Sequence, residues 1–234
     1  MQIYNFVFKF KAATKYFFMP TIQTPEIKNI IFDWGGVLLN INPLLSLLDL
    51  EKISGFNQEE LLLRLASAKI FEKFDTGSLD PAQFRIELCR ILNQQVSDRE
   101  IDRVWNKLLL DFPFPRVELL KQIKRNYRIY LLSNTNIIHF WYYTREFFEK
   151  YGFQMTDLFD RLFLSYEIGI HKPDDGIYLH VLQTAGLIPA ETVFFDDSLA
   201  NIEAAEKLGI TGIHIRDGHE VTEYFENEFL KENS

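Results

Sequence analysis

Short apolar segments alternate with helix-forming stretches along most of this chain, and few folds accept such a pattern. The apolar segments lie at 28–33, 127–133, 161–165, 192–196 and 211–215. Each is apolar almost throughout, which is typical of strands that are buried on both faces. Stretches with helical periodicity lie between and beside them, at 116–125, 137–150, 175–186 and 199–208. This alternation predicts an α/β fold, in which helices cover both faces of a parallel sheet.

A block from about 42 to 111 interrupts the alternation and contains no convincing strand. It carries three signals for the start of a helix, namely Asn57 with Glu60, Asp80 with Pro81, and Ser97 with Glu100. A helical block that follows the first strand predicts an inserted cap. We therefore divide the chain into four ranges: an N-terminal extension with no assigned role at 1–26, a core at 27–41 and 112–234, and a helical cap at 42–111.

Composition and charge narrow the classes of partner. Apolar residues make up 47% of the 234 residues, which is enough for a sizeable core. The net charge of -8 would repel nucleic acids and anionic lipids, so we expect neither as a partner. Cys89 is the only cysteine, which excludes an internal disulfide and favours a cytoplasmic location. Lysines interrupt the apolar N-terminal stretch, so we expect no signal peptide and no membrane span.

Polar residues stand at the carboxyl ends of the predicted strands. Asp33 closes the first strand and Ser133 closes the second. Asp196 and Asp197 close the fourth strand, and Lys172 follows the third within "GIHKPD". Residues just beyond the carboxyl ends of neighbouring parallel strands converge on one crevice, which is where ligands bind. The sequence therefore predicts a single polar site at this edge of the sheet.

The residue types at this edge suit phosphoryl transfer. An aspartate such as Asp33 can attack phosphorus and form an aspartyl-phosphate if cations offset the repulsion between the two anions. The adjacent carboxylates of Asp196 and Asp197 would be costly to keep ionised without a divalent cation, and oxygen ligands favour Mg2+. We expect Ser133 to donate a hydrogen bond to the phosphoryl oxygens and Lys172 to neutralise their charge.

Two glycines follow Asp33 directly. Gly35 and Gly36 would let the backbone turn sharply and approach a phosphate, with the Gly35 carbonyl free to face the metal. Each polar motif also has an ordinary structural alternative. Asp before Gly is common in turns, Ser133 suits a helix cap, and Lys172 suits a solvated loop. Their joint occurrence at strand ends favours a catalytic site.

The motifs together resemble a known family. In this order, "FDWGGVL", "LLSNTN", "GIHKPD" and "VFFDDSLANIEAA" resemble the four signature motifs of the haloacid dehalogenase superfamily, over about 27–217. The chain is most similar to the branch of bacterial α-D-glucose-1-phosphate phosphatase, which also has a small residue two places after the nucleophile. The resemblance implies a Rossmann-like core, a mobile helical cap and Mg2+-dependent phosphatase activity on a small phosphorylated metabolite.

The resemblance also implies roles for single residues. Asp33 is the expected nucleophile, and Ser133 and Lys172 are the expected stabilisers of the phosphoryl group. The expected metal ligands are Asp33, the Gly35 carbonyl, Asp196 and Asp197, with Asp197 as the direct ligand of the last pair. The expected substrate contacts are Gly35, Gly36, Ser133 and Asn134, together with Asp75 and Thr76 from a break between two cap helices at 71–78.

One departure from the superfamily pattern affects the mechanism. Most of its phosphatases have a second Asp two residues after the nucleophile, which acts as general acid and then as general base, and Gly35 occupies that position here. Losing a positioned proton donor costs roughly 10²- to 10⁴-fold in rate. The replacement is either an acidic leaving group such as an anomeric hydroxyl, a cap residue such as Asp75, or ordered water, with His171 as a poorer candidate. The first option favours glucose 1-phosphate as substrate.

Other functions fit parts of the pattern. A metal-independent haloacid dehalogenase would leave Asp196 and Asp197 unexplained. A sugar phosphomutase needs the acid and base that Gly35 cannot supply. A non-catalytic phospho-ligand-binding protein would keep the pocket and bind its ligand with Mg2+ but without turnover.

The aromatic stretch at 140–148 fits a helix packed on the sheet. The chain is expected to be a monomer or a homodimer.

Overall fold

A computed structural model describes residues 27–216 and 218–225. The predicted N-terminal extension and the last residues of the predicted core, 226–234, lie outside this range. Five parallel strands form one sheet in the order β3-β2-β1-β4-β5. The strands are β1 (Asn29–Phe32), β2 (Arg128–Ser133), β3 (Arg161–Leu164), β4 (Thr192–Asp196) and β5 (Thr211–His214). The predicted α/β fold with a parallel sheet is confirmed, and every predicted strand is present.

Helices cover both faces of the sheet. One face packs against α6 (Phe114–Ile123) and α7 (Ile137–Tyr151), and the other packs against α9 (Asp175–Ala185) and α10 (Leu199–Lys207). The alternation of side chains along β1 shows the arrangement, since Ile30 and Phe32 belong to the first apolar cluster and Ile31 to the second. A single turn, α8 (Ser165–Ile168), follows β3. The central strands are apolar throughout because both faces are buried.

Five helices form between β1 and β2, before α6 begins. They are α1 (Pro43–Ser54), α2 (Gln58–Ala68), α3 (Ile70–Asp75), α4 (Pro81–Leu92) and α5 (Asp98–Asn106). The predicted caps are present: the side chains of Asn57, Asp80 and Ser97 accept hydrogen bonds from the third residue of their helices. These helices bury an apolar cluster of their own, which includes Leu61, Phe74, Phe84 and Trp105.

The aromatic helix α7 presents different faces to the core and to solvent. Tyr143 and Phe147 are buried against the sheet, as the amphipathic pattern predicts. Trp141, by contrast, is 69% exposed. Within the part of the chain that the structure covers, no helix is both long and apolar enough to span a bilayer.

Candidate active site

The predicted residues at the strand ends lie where the order of strand addition reverses, beside the central strand of the sheet. β1 is the central strand, and the chain runs from it to β2 and β3 on one side before crossing to β4 and β5 on the other. Asp33 follows β1, Ser133 ends β2 and Asp196 ends β4, so all three stand at the carboxyl edge on adjacent strands. This is the topological switch point, where parallel sheets bind ligands.

Lys172 joins these strand ends electrostatically. Its Nζ atom lies 2.7 Å from Asp33 Oδ1 and 2.7 Å from Asp196 Oδ2, and it donates a third hydrogen bond of 3.0 Å to the carbonyl oxygen of Leu132. The side chain is 1% exposed, and its three N–H groups match these three acceptors. Burial alone would lower the pKa of Lys172, but Asp33 and Asp196 outweigh it and raise that pKa.

Asp196 is fully buried and surrounded by donors. Besides Lys172, the backbone N–H of Ser198 donates to Oδ1 at 2.8 Å, and the amide of Asn201 donates to Oδ1 and Oδ2 at 2.9 and 3.1 Å. These bonds fix the orientation of the Asp196 side chain. Sequence reasoning missed Asn201, whose only signal is its position in the first turn of α10.

The three acidic side chains form a group suited to a divalent cation. One oxygen each from Asp33, Asp196 and Asp197 lie within 4.8 Å of one another. Asp33 and Asp196 are buried, whereas Asp197 is exposed at the rim. All donors are carboxylate oxygens, which Mg2+ prefers, so the residues fit the predicted metal. N–H donors already engage Asp196, which favours the prediction that Asp197 is the direct ligand of the adjacent pair.

Two carboxyl groups of this acidic group have raised pKa values. Burial raises the pKa of Asp33, with Lys172 opposing the shift and Asp196 adding to it. Partial burial and then Asp196 raise the pKa of Asp197. Both shifts come from carboxylates that are crowded together away from water, and a divalent cation among them would reverse the repulsion.

The two glycines after Asp33 differ in their roles. Gly36 has a φ of 79°, and a Cβ there would lie 2.2 Å from Asp197 Oδ2, so only glycine leaves room for this carboxylate. Gly35 does not have a positive φ, and the atoms nearest to a Cβ there would be those of the Ile41 side chain, the first at 3.2 Å. A backbone conformation that requires glycine is therefore found at Gly36 and not at Gly35, and the predicted approach of both residues to a phosphate stays a prediction.

Asn134 and Thr76, which are predicted to contact substrate, make hydrogen bonds to the protein backbone. Asn134 pairs with the backbone of Lys172, donating to its carbonyl oxygen at 2.9 Å and accepting from its N–H at 2.8 Å. Thr76 donates to the carbonyl oxygen of Glu72 at 2.8 Å, at the end of α3. These bonds give Asn134 a part in positioning Lys172, and the substrate contacts of both residues stay predictions.

Asp75 lies where the inserted helices meet the core. Its Oδ1 accepts a hydrogen bond of 2.9 Å from the amide of Asn136, three residues beyond the end of β2. Burial raises the pKa of Asp75 to about 6, while Asn136 and His171 act in the opposite direction. Sequence reasoning missed Asn136, because the pattern before α7 indicates only a helix cap.

The comparisons with known proteins agree with this geometry. A family model for haloacid dehalogenase-like hydrolases matches residues 27–209. This chain belongs to that family. The match to the haloacid dehalogenase-like hydrolases runs from β1 through α10 and includes the inserted helices. The predicted superfamily is therefore confirmed, whereas the branch of α-D-glucose-1-phosphate phosphatase stays a prediction.

Relatives within the haloacid dehalogenase-like family carry phosphatase names. A D-ribitol-5-phosphate phosphatase from Bacteroides thetaiotaomicron is 28% identical over 193 residues, which cover 82% of this chain and 93% of the relative. A sesquiterpene phosphatase from Aspergillus oryzae is 30% identical over 195 residues, covering 81% and 90%. The crystal structure of a family enzyme from B. thetaiotaomicron, in complex with magnesium and inorganic phosphate, matches with a TM-score of 0.79 and 36% identity, covering 85% of this chain and 99% of that chain.

Proposed function

We propose that this chain is a Mg2+-dependent phosphatase that hydrolyses the monoester of a small phosphorylated sugar or polyol. The reaction would pass through an aspartyl-phosphate on Asp33. One observation carries the proposal: the carboxylate of Asp33 lies beside a buried lysine and within 4.8 Å of two further carboxylates, at the ligand-binding edge of the sheet. The phosphatase names of the relatives and the magnesium and phosphate bound by a family member support it.

The side chains of the site divide the chemistry among them. Asp33 attacks phosphorus, and its carboxylate is oriented for this by Lys172 at 2.7 Å. Lys172 and the Ser133 hydroxyl stabilise the charge on the phosphoryl oxygens. Asp33, Asp196, Asp197 and the Gly35 carbonyl would hold Mg2+. When bound, the ion offsets the repulsion between the substrate dianion and the carboxylates.

The substrate class follows from the relatives and from the proposed cap. One relative is named for ribitol 5-phosphate, and Mg2+-dependent removal of phosphate from such a polyol is compatible with this site. Glucose 1-phosphate, expected from Gly35, stays a prediction. The inserted helices at 42–111 would form the cap over the core at 27–41 and 112–234, with Asp75, Thr76 and Asn134 near the substrate. A cytoplasmic location and a monomeric or homodimeric state complete the proposal.

A panel of phosphate esters tests this function. Ribitol 5-phosphate, glucose 6-phosphate, glucose 1-phosphate and p-nitrophenyl phosphate are assayed for phosphate release with and without Mg2+. We expect release that requires Mg2+ and disappears in Asp33→Asn. Binding that depends on Mg2+ but gives no phosphate would instead indicate the non-catalytic phospho-ligand-binding protein, and halide release from a haloacid without Mg2+ would indicate a dehalogenase.

A further inference from the structure

Among the described residues at the strand ends, none has yet been assigned to protonate the leaving group. Hydrolysis of an alkyl phosphate expels an alkoxide, a poor leaving group unless it is protonated as the bond breaks. Gly35 carries no side chain that could do this. A side-chain donor in its place would have to come from another element that reaches the edge where Asp33, Ser133 and Lys172 meet.

Asp75 reaches this edge from the inserted helices. It is the last residue of α3, and its hydrogen bond to Asn136 ties it to the loop that follows Ser133. The charge of His171, the neighbour of Lys172, also acts on Asp75. Asp75 is thus bonded to the loop that follows Ser133 and lies within electrostatic range of the loop that carries Lys172.

The contact between the inserted helices and the core is close at this point. Gly77, two residues after Asp75, has a φ of 68°, and a Cβ there would lie 2.3 Å from the carbonyl oxygen of Tyr166 in α8. Any other residue would push the α3–α4 loop away from α8. The backbone itself therefore seats Asp75 against the core.

A hydrogen-bond network behind Asp75 fixes its orientation. Asn136 is 1% exposed, and its Oδ1 accepts from the His139 backbone at 3.0 Å and from the Trp105 indole at 3.4 Å. The amide nitrogen of Asn136 must then face Asp75. His139 Nε2 donates to the Trp105 carbonyl oxygen at 3.1 Å, which leaves Nδ1 to accept from Asn136 at 3.2 Å. Asn136 is therefore a donor toward Asp75.

We propose that Asp75 is the general acid and general base of the reaction, supplied by the inserted helices in place of a side chain at position 35, and that Asn136 is its positioning residue. This inference rests on the proposed phosphatase function. It requires that Asp75 reach the leaving oxygen of a bound ester, at the carboxyl edge of β1 and β2.

The two half-reactions balance with one proton carried by Asp75. In the first, Asp33 forms a bond to phosphorus, the bond from phosphorus to the ester oxygen breaks, and the electron pair leaves with that oxygen. The proton of Asp75 passes to it and gives the alcohol. In the second, the Asp75 carboxylate takes a proton from water, the water oxygen attacks phosphorus, and the bond to Asp33 breaks. Inorganic phosphate leaves, and both aspartates return to their starting states.

The surroundings of Asp75 favour a carboxyl group that can both give and take a proton. Its pKa of about 6 results from burial, offset by Asn136 and by His171. Among the other titratable groups nearby, His139 is neutral because burial lowers its pKa to about 4, and burial raises the pKa of Tyr166 in α8. A general acid works best when its pKa lies close to the working pH.

This assignment removes the need for an acidic leaving group. A donor at Asp75 would let the enzyme expel the primary alkoxide of ribitol 5-phosphate or glucose 6-phosphate, and not only an anomeric hydroxyl. The substrate class is then the phosphate monoester of an ordinary alcohol on a sugar or polyol.

Leaving-group dependence in Asp75→Asn tests the inference with Mg2+ present. p-Nitrophenol leaves readily as its anion, so hydrolysis of p-nitrophenyl phosphate needs little help from an acid. We expect Asp75→Asn to lower kcat on ribitol 5-phosphate or glucose 6-phosphate by about 10²- to 10⁴-fold. The rate of aspartyl-phosphate formation from p-nitrophenyl phosphate, measured as the nitrophenol burst, should fall by less than about tenfold. Glu72→Gln, an exposed neighbour in α3, is the matched control and should leave both rates unchanged.

The outcomes separate the inference from the proposed function. Equal losses on alkyl and nitrophenyl esters in Asp75→Asn would overturn the acid role, and so would a wild type that cleaves only the nitrophenyl ester. A wild type that cleaves neither ester with Mg2+ would overturn the phosphatase itself.

A second readout does not depend on the folding of Asp75→Asn. In the wild type, kcat on the alkyl ester should fall as pH rises past the pKa of Asp75, while the nitrophenol burst should not. Asn136→Ala, which removes a donor that lowers this pKa, should move the fall to higher pH. A fall that stays at the same pH in Asn136→Ala would contradict the positioning role.

Discussion

At the scale of single residues, the site depends on a lysine with no contact to bulk water. Lys172 pairs with both Asp33 and Asp196, and its three hydrogen bonds satisfy every N–H group of the ammonium. A buried ion pair contributes little net stability compared with apolar residues, but breaking one leaves an uncompensated charge. We therefore expect the same lysine to matter for both catalysis and folding.

Replacing this lysine should damage both properties. In Lys172→Met, two carboxylates remain buried without their cation, and we expect the free energy of unfolding to fall by about 3 to 5 kcal/mol. Phosphate release should fall by at least about 10²-fold. Urea unfolding and the phosphate assay measure the two effects. Lys121→Met, at an exposed i,i+3 pair with Glu118, is the control and should change neither. Unchanged stability in Lys172→Met would contradict this view of the charge balance.

Gly36 offers a second test at the residue scale. A methyl group at position 36 would overlap the Asp197 carboxylate and strain the backbone, so Gly36→Ala should weaken Mg2+ binding by more than about tenfold. The Mg2+ dependence of phosphate release measures this. Gly55→Ala imposes similar strain at a φ of 72° with no atom within 4 Å, and should lose stability without losing Mg2+ affinity. Equal Mg2+ affinity in Gly36→Ala and Gly55→Ala would refute the packing argument.

At the scale of elements, the start of α7 connects the inserted helices to the sheet. Asn136 caps this helix, and His139 in its first turn stacks on Trp105 of α5 with ring centroids 4.9 Å apart. His139 also donates to the backbone of Trp105. Three elements from distant parts of the sequence therefore share one polar network, and its protonation state affects how they dock.

This network predicts a pH dependence of stability. The pKa of His139 is lowered from 6.5 to about 4 in the folded chain. Between these pH values, His139 is protonated in the unfolded chain but neutral in the folded chain. His139 should therefore cost stability as pH falls from 6.5 to 4, by at most about 3 kcal/mol. Asp75 acts in the opposite sense, because its pKa is raised from 3.8 to about 6 and folding binds its proton.

The difference between two unfolding curves isolates the histidine. Urea unfolding of the wild type and of His139→Gln is compared from pH 7 to pH 4, with Asp75 present in both proteins. We expect the wild type to lose stability relative to the variant as the pH falls. His219→Gln, at an exposed position, should follow the wild type. Parallel curves for the wild type and His139→Gln would rule out a neutral His139 in the folded chain.

The elements also show which features the sequence can predict. Strand positions follow from local apolar runs, and the polar residues at their ends meet because parallel topology brings carboxyl ends together. Asn136 and Asn201 were not predictable, since each contacts residues that only the folded chain brings near. The need for glycine at position 36 also depends on where the Asp197 carboxylate lies, which no local pattern encodes.

At the scale of the whole molecule, the site links segments that the sequence separates widely. Asp33, Lys172 and Asp196 come from the start, the middle and the later part of the core. The two aspartates belong to the acidic group, and Lys172 pairs with both of them. A cation that binds this group only in the folded chain must stabilise the entire sheet. Binding of Mg2+ would thus offset the cost of crowding three carboxylates.

Thermal unfolding should register this coupling. At a Mg2+ concentration of about 100 times its Kd, the expected stabilisation is about 2.7 kcal/mol, seen as a rise in Tm. Asp197→Asn should lose most of this rise, whereas Glu203→Gln, exposed on α10, should keep it. A Tm that does not respond to Mg2+ in the wild type would speak against a metal site here.

Direct detection of a phosphorylated Asp33 is the most decisive measurement. The protein is mixed with Mg2+ and the best ester of the panel, quenched in acid during turnover, and digested for mass spectrometry. We predict one added phosphoryl group on the peptide that contains Asp33, which disappears when the substrate is exhausted and never forms in Asp33→Asn. Continued phosphate release by Asp33→Asn, with no phosphoryl group on this peptide in the wild type, would contradict the account.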